Sequence, residues 1–272
     1  MKTERPRTTS IVKWRTPFLA LFVVLLLIFT VVEPALAAIS HVSTSASNNS
    51  SSNSLTISTP AGIAGDLLLA QITFRGGSGA TFSSVPSGWT ELLRTNSGPN
   101  NSSIGQAIYY RIATGSESTS YQWSLNSGGG PSGSRRPSGG IIRYRGVDAT
   151  DPFVASGGST GNNSSPTSPS ISATTDSVLV AFFGIFTDTS LSTPIGMTQR
   201  YNVINNDDSS SSNRMRSMAA DQSVSAGSTG TRTSNAGSSQ VWVAQSVTLR
   251  IVDTTAPTLD LPANMTVEAT GP

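Results

Sequence analysis

Apolar residues come along this chain in short runs parted by Ser-, Thr-, Asn- and Gly-rich stretches, and beyond residue 37 no run has helical spacing. The strongest run, residues 66–74 (Asp-Leu-Leu-Leu-Ala-Gln-Ile-Thr-Phe), lies between Gly65 and Gly76-Gly77. Its length and unbroken apolarity predict a central strand buried on both faces. Further strands are predicted over 89–94, 106–113, 121–125, 140–145 and 240–252. Several alternate with period two, so that Ile108, Tyr110 and Ile112 share a face, as do Tyr121, Trp123 and Leu125. Strands at this spacing without helices predict an all-β, antiparallel β-sandwich of jelly-roll or Greek-key type, with Trp89 and Trp123 in its core.

The pattern repeats weakly. Asp66-Leu-Leu-Leu-Ala-Gln-Ile-Thr-Phe matches Asp176-Ser-Val-Leu-Val-Ala-Phe-Phe-Gly, and Pro86-Ser-Gly-Trp-Thr-Glu matches Pro194-Ile-Gly-Met-Thr-Gln. Tyr110-Arg-Ile-Ala-Thr-Gly-Ser matches the stretch from Ala220 with one residue of slack. The first pair is offset by 110 residues and the second by 108. Two similar β-meander halves, about 55–150 and 165–252, packed in one sandwich account for this order, since one half alone would leave an apolar face uncovered. Shared strand-and-turn chemistry is the competing explanation.

Both ends of the chain read differently. Residues 1–37 have the form of a secretory leader: five basic residues, an apolar stretch over 18–32, then Pro34 and Ala35-Leu36-Ala37 as the cleavage signal. A run of 15 residues, apolar except for Thr30, falls short of the roughly 20 that span a bilayer, so cleavage is expected over anchoring. Residues 38–54 are mostly Ser, Thr and Asn, and are expected to form a disordered lead-in to a β-sandwich domain over 55–252. A linker over 253–257 precedes residues 258–272, where Pro-Ala-Asn, Thr-Val-Glu-Ala-Thr and Gly-Pro follow Ala256-Pro257-Thr258. That tail resembles the opening of a hyalin-repeat (HYR) domain. The resemblance implies the truncated start of an immunoglobulin-like module, hence a larger multidomain protein with a role in adhesion. The segments Gly-Asp-Leu-Leu-Leu-Ala, Pro-Ser-Gly-Trp-Thr, Tyr-Tyr-Arg-Ile-Ala and Ile-Ile-Arg-Tyr-Arg-Gly-Val-Asp resemble β-sandwich domains of bacterial exoproteins and phage tail or fibre proteins. This second resemblance implies architecture and no catalytic motif.

Charge changes the picture once the leader is set aside. It holds five of the 17 basic and two of the 15 acidic residues, so the rest carries 12 Arg, no Lys and 13 acidic groups. The near-neutral remainder gives no reason to expect nucleic-acid binding, and membrane contact is expected only through an uncleaved leader. With no Cys, the exported part must be held by its core alone.

Candidate chemistry is sparse. One His, His41, and no Cys leave few materials for zinc or for Ser-His and Cys-His nucleophiles. Glu91, Glu117, Asp148 and Asp151 are the carboxylates a glycosidase would draw on, and nothing in the sequence converges any two of them. No enzyme is therefore expected, and no cofactor beyond calcium. Asp148 with Asp151 and Asp207 with Asp208 are the calcium candidates, with solvated turn residues as the alternative reading. For recognition, alternation over 240–252 puts Val241, Val243, Val247, Leu249 and Ile251 on one face, and Trp242, Thr248 and Arg250 on the other. If the strands ending each half share a sheet, Trp242, Arg143, Arg145 and Arg250 form one surface for an extracellular glycan or protein. The expectation is thus a secreted or cell-surface, non-enzymatic module for adhesion or matrix contact, with a lectin-like carbohydrate-binding domain as the alternative and a polysaccharide-degrading enzyme behind both.

Overall fold

A computed structural model describes residues 38–49, 52–127, 134–205 and 214–253. The leader, the tail beyond Asp253, and Asp207 and Asp208 lie outside the described residues. In chain order the first half supplies β1 (Ser40–Asn48), β2 (Ser54–Ser58), β3 (Leu67–Arg75), β4 (Phe82–Ser84), β5 (Thr90–Asn96), β6 (Ile104–Ile112), β7 (Ser120–Leu125) and β8 (Ser138–Arg145). They form an antiparallel sheet ordered β1-β8-β3-β6-β5 and a smaller one ordered β2-β7-β4. Few chain-consecutive strands are sheet neighbours, which is Greek-key order of the jelly-roll kind rather than a meander.

The apolar run at 66–74 becomes β3, and all nine of its residues are buried. Alternation sends Leu68, Ala70, Ile72 and Phe74 toward the small sheet, where they meet Leu55, Ile57, Trp89 and Trp123. Leu67 and Leu69 point the other way, into a second core with Val178, Val180 and Phe182. That core is made with the second half: β9 (Phe153–Asn163), β10 (Thr167–Ser168), β11 (Ser172–Ala173), β12 (Ser177–Phe186), β13 (Thr198–Ile204), β14 (Met215–Val224), β15 (Gly227–Ser228), β16 (Arg232–Thr233) and β17 (Gln240–Leu249). Its large sheet is ordered β13-β14-β12-β17-β9, and two short ribbons, β10-β16 and β11-β15, accompany it. Beside the ribbon region Phe183, Ile185, Leu191, Ala236 and Trp242 form a third core. The expected all-β antiparallel sandwich of two similar halves is found, with Greek-key order in place of meanders within each half. Each half has its own outer layer, and the halves join through their large sheets.

The two sheet orders correspond strand for strand: β1 with β9, β8 with β17, β3 with β12, β6 with β14, and β5 with β13. Local details repeat as well. Trp89 N donates to Pro86 O at 3.3 Å and Met197 N to Pro194 O at 3.1 Å. Gly88 and Gly196 both have φ +79°, and a bulge follows at Glu91/Leu93 and at Gln199/Tyr201. The offset of 108 thus holds at this turn. At β3 and β12 the structural offset is 111, one more than the sequence match, because Ile63 N bonds Asp66 Oδ2 where Thr174 N bonds Ser177 Oγ. That single residue matters, since a slip of one exchanges the two faces of a strand.

Across the join β1 meets β13 and β5 meets β9. Exchanged edges of this kind place a pseudo-twofold axis along the strands, so equivalent ends of the two halves lie at the same end of the molecule. Around the axis the contact is polar. Gln71 Nε2 donates to Gln106 Oε1 at 2.6 Å and to Phe183 O at 3.1 Å, and Thr73 Oγ1 donates to Gln106 Oε1 at 2.9 Å. Gln106 Nε2 passes the chain to Gln245 Oε1 at 2.9 Å, Gln245 Nε2 reaches Thr95 Oγ1 at 2.9 Å, and Tyr201 OH donates to Gln71 Oε1 at 2.7 Å. The three glutamines and Thr73 are wholly buried.

The expected disorder over 38–54 is also corrected. Residues 40–48 are β1, paired along its length with β8, and Ile39 is buried in the inter-sheet core. Ser and Thr satisfy an edge strand whose backbone bonds are supplied by a neighbour, and that gain is invisible in composition. Replacing Gln106 by Leu takes the acceptor from Thr73 Oγ1 and the donor from Gln245 Oε1 in the interior, and is expected to lower the unfolding free energy by about 2 kcal/mol or more in urea denaturation.

Candidate functional site

The four predicted recognition residues are not brought together. Arg143 and Arg145 stand on β8 in the first large sheet, whereas Trp242 is on β17 and Arg250 just past it, in the second. Trp242 does face away from Val243 and Val247, but it is covered and only 5% exposed. Its indole N–H donates to Asn163 Oδ1 at 3.1 Å, and a Cβ at Gly161 would come within 2.3 Å of its ring. Arg250 pairs with Asp151 at 3.1 Å and donates to the carbonyls of Asp151 and Phe153, which pins the turn before β9. In that turn Asp148 Oδ1 accepts from the Thr150 hydroxyl, the Thr150 amide and the Asp151 amide, and these bonds hold its carboxyl below the usual range. Among the described residues no three His, Asp or Glu side chains converge on one point.

Arg143 instead belongs to a cluster that the sequence reading did not single out. Asp66, immediately before β3, takes Arg143 Nε on Oδ2 at 2.9 Å, Arg145 Nε on Oδ1 at 2.8 Å, and the Ile63 amide at 2.9 Å. Arg143 also donates to Pro60 O at 2.8 Å and Ile63 O at 2.5 Å, so one guanidinium fastens the loop between β2 and β3. Gly62 lies against it: a Cβ there would fall 2.1 Å from Arg143 Nε, so no larger residue fits. Burial by itself raises the carboxyl pKa of Asp66, but the bonds from Arg145, the Ile63 amide and Arg143 outweigh it and hold the group below its ordinary value.

A second fixed carboxylate stands nearby. Glu117 accepts from the Thr114 amide at 2.7 Å and the Thr114 hydroxyl at 3.0 Å, from the Tyr121 hydroxyl, and from Arg111 Nη2 at 3.3 Å. Burial raises its pKa, and these partners pull it below normal. Arg111 in turn lies over the Tyr121 ring at 5.3 Å. Between the two clusters a cleft of about 310 Å³ opens, lined by residues 59–62, Gly115, Glu117, Ser118, Thr119 and Arg143. Asp66 and Glu117 had a faint signal in the sequence. Asp66 borders an apolar strand, Glu117 is one of the four carboxylates named from the sequence, and beyond residue 37 every Lys or Arg position is Arg, which suits forked, buried pairing.

The twofold comparison exposes another charged group. At one edge of the join Arg200 donates to Asp221 through Nε and Nη2, each at 2.7 Å, Tyr144 OH donates to the same carboxylate at 2.7 Å, and the His41 ring stands edge-on to Tyr144 at 6.2 Å. The corresponding positions at the other edge are Leu92, Tyr110, Leu249 and Phe153, all in the inter-sheet core, with Tyr110 and Phe153 rings 4.8 Å apart. Burial first, and Arg200 second, push the His41 pKa down, against a smaller opposing pull from Asp221.

Changing Asp66 to Asn leaves Arg143 buried without its counter-charge and is expected to cost about 3–5 kcal/mol in chemical denaturation. Arg145→Gln, on a side chain 46% exposed, is expected to leave the midpoint nearly unchanged. Because the fold depresses the His41 pKa, the unfolded chain binds the extra proton first, and stability falls as pH drops below about 6.5. Asp66 and Glu117 contribute stability above the ordinary carboxylate range and lose it in a second step, as pH falls through their lowered values. Melting temperature against pH checks this, and His41→Phe, which copies Phe153, is expected to remove the first step alone.

In comparison with known proteins, the chain matches no protein family, no characterised protein and no solved structure.

Proposed function

We propose that this chain is a non-enzymatic extracellular module for adhesion or matrix contact, the N-terminal part of a larger multidomain protein. The observation that carries the reading is how the charged groups are used. Asp66, Glu117 and Asp221 each have their oxygens taken by Arg, Tyr or backbone donors; Arg143, Arg111 and Arg200 are taken up in the same pairs, and Arg250 pairs with Asp151. Carboxylates tied down in this way brace loops and sheets, whereas a hydrolase needs one free to accept a proton and another to donate one. What remains for contact is a surface of Ser, Thr, Asn and Gly on a rigid β frame, and the leader-like start of the chain supports a place outside the cell.

The test uses the full chain with its own leader. It is expected in the medium or on the cell surface, binding beads coated with matrix protein or polysaccharide, and leaving a panel of polysaccharides uncut. Retention in the cytoplasm would count against export. Hydrolysis of a polysaccharide that disappears in Glu91→Gln or Asp151→Asn would replace the reading with an enzymatic one.

A further inference from the structure

The geometry points to the cleft above Arg143 as a binding site for a single neutral, hydroxyl-rich sugar unit, an inference that rests on the adhesive reading and gives it a ligand class. The cleft is about 310 Å³, and two charged side chains line it. Arg143 is 3% exposed and Glu117 8% exposed, and each already has a counter-charge, the first in Asp66, which Arg145 shares, and the second in Arg111. An anion entering there meets Glu117, and a cation meets Arg143. A neutral ligand with both donors and acceptors meets neither penalty.

Bonding capacity remains. A guanidinium has five N–H donors, and Arg143 spends one each on Asp66, Pro60 O and Ile63 O, so two are left. Ser118 and Thr119, both exposed, add hydroxyls at the rim. Pro60 and Ala61 line the cleft on the other side, and Ile63, next along that loop, is 58% exposed. Hydroxyl partners on one side and an apolar edge on the other suit a sugar ring, which carries both kinds of surface.

The second half shows that the fold does not need this cleft. Where Arg143 and Asp66 stand in the first half, the second has Thr248 and Ser177. The Thr248 hydroxyl donates directly to Ser172 O at 2.8 Å, and Ser172 pairs with Ser228 in the β11-β15 ribbon. A hydroxyl and a closed ribbon complete that side. In the first half a long buried cation stands there instead, fastening the loop at Pro60 and Ile63 and lining the cleft beside it.

The experiment uses the full exported chain, with methyl glycosides of glucose, galactose and mannose as probes and glucuronate and glucosamine as charged counterparts, read by saturation-transfer NMR and calorimetry. Saturable binding of at least one neutral glycoside is expected, with the charged counterparts weaker by about tenfold or more. Ala61→Trp and Thr119→Trp fill the cleft from exposed positions. Each is expected to weaken binding by about tenfold or more while leaving the melting temperature unchanged. Binding of none of the probes, a preference for glucuronate or glucosamine, or binding indifferent to both rim variants would overturn the inference. If the chain still adheres to matrix-coated beads in any of those cases, the cleft assignment fails and the adhesive reading stands. If a neutral glycoside fills the cleft but no coated bead is bound, the adhesive reading is the one that fails.

Discussion

Everything in this molecule depends on two five-stranded sheets meeting face to face. Each half has its own outer layer, yet its large sheet would expose one whole face without the other half. The meeting is apolar where Leu67, Leu69, Val178, Val180 and Phe182 pack, and polar near the axis, where Gln71, Gln106 and Gln245 hand hydrogen bonds from one sheet to the other. Apolar contact alone tolerates sliding of one sheet on another. A buried amide chain does not, because a shift strands several donors and acceptors at once. The glutamines therefore set the alignment of the halves, and the side chains around them supply the bulk of the attraction.

Much of the fold was legible in the residues. The run at 66–74 reads as a strand buried on both faces because it has no polar face to offer, and sheets do cover it on both sides. The Pro-x-Gly turns revealed the duplication at the right spacing, since Gly88 and Gly196 are forced by the same left-handed backbone. The sequence match at β3 and β12 is one residue out because Asp66 resembles Asp176, whereas the structural partner of Asp66 is Ser177, which bonds the turn through its hydroxyl. β1 was unreadable for a different reason. Its residues have little to bury, and its order comes from pairing with β8. Buried glutamines are hidden in the same way, since Gln in a sequence gives no sign that other glutamines await it.

The candidate site was half legible. Arg143 and Arg145 were picked out, but as partners for Trp242 and Arg250, on the assumption that β8 and β17 share a sheet. The duplication itself implied otherwise, because the last strands of two equivalent halves occupy equivalent places in different sheets. The true neighbours of Arg143 come from loops far away in the chain, at Pro60, Ile63 and Asp66. Long-range pairing of this kind leaves no periodic trace.

Gly146 lies beside both ends of the folded body. A Cβ there would stand 2.6 Å from Ala38 O, while its own carbonyl accepts from Val252 N at 3.0 Å. The chain therefore arrives and departs at one pole, next to the antiparallel bridge between Val147 and Ile251. A tensile load applied between residues 38 and 253 acts across the strands and not along them. It would unzip β1 from β8 one backbone bond at a time, so resistance to force applied between these two ends is low.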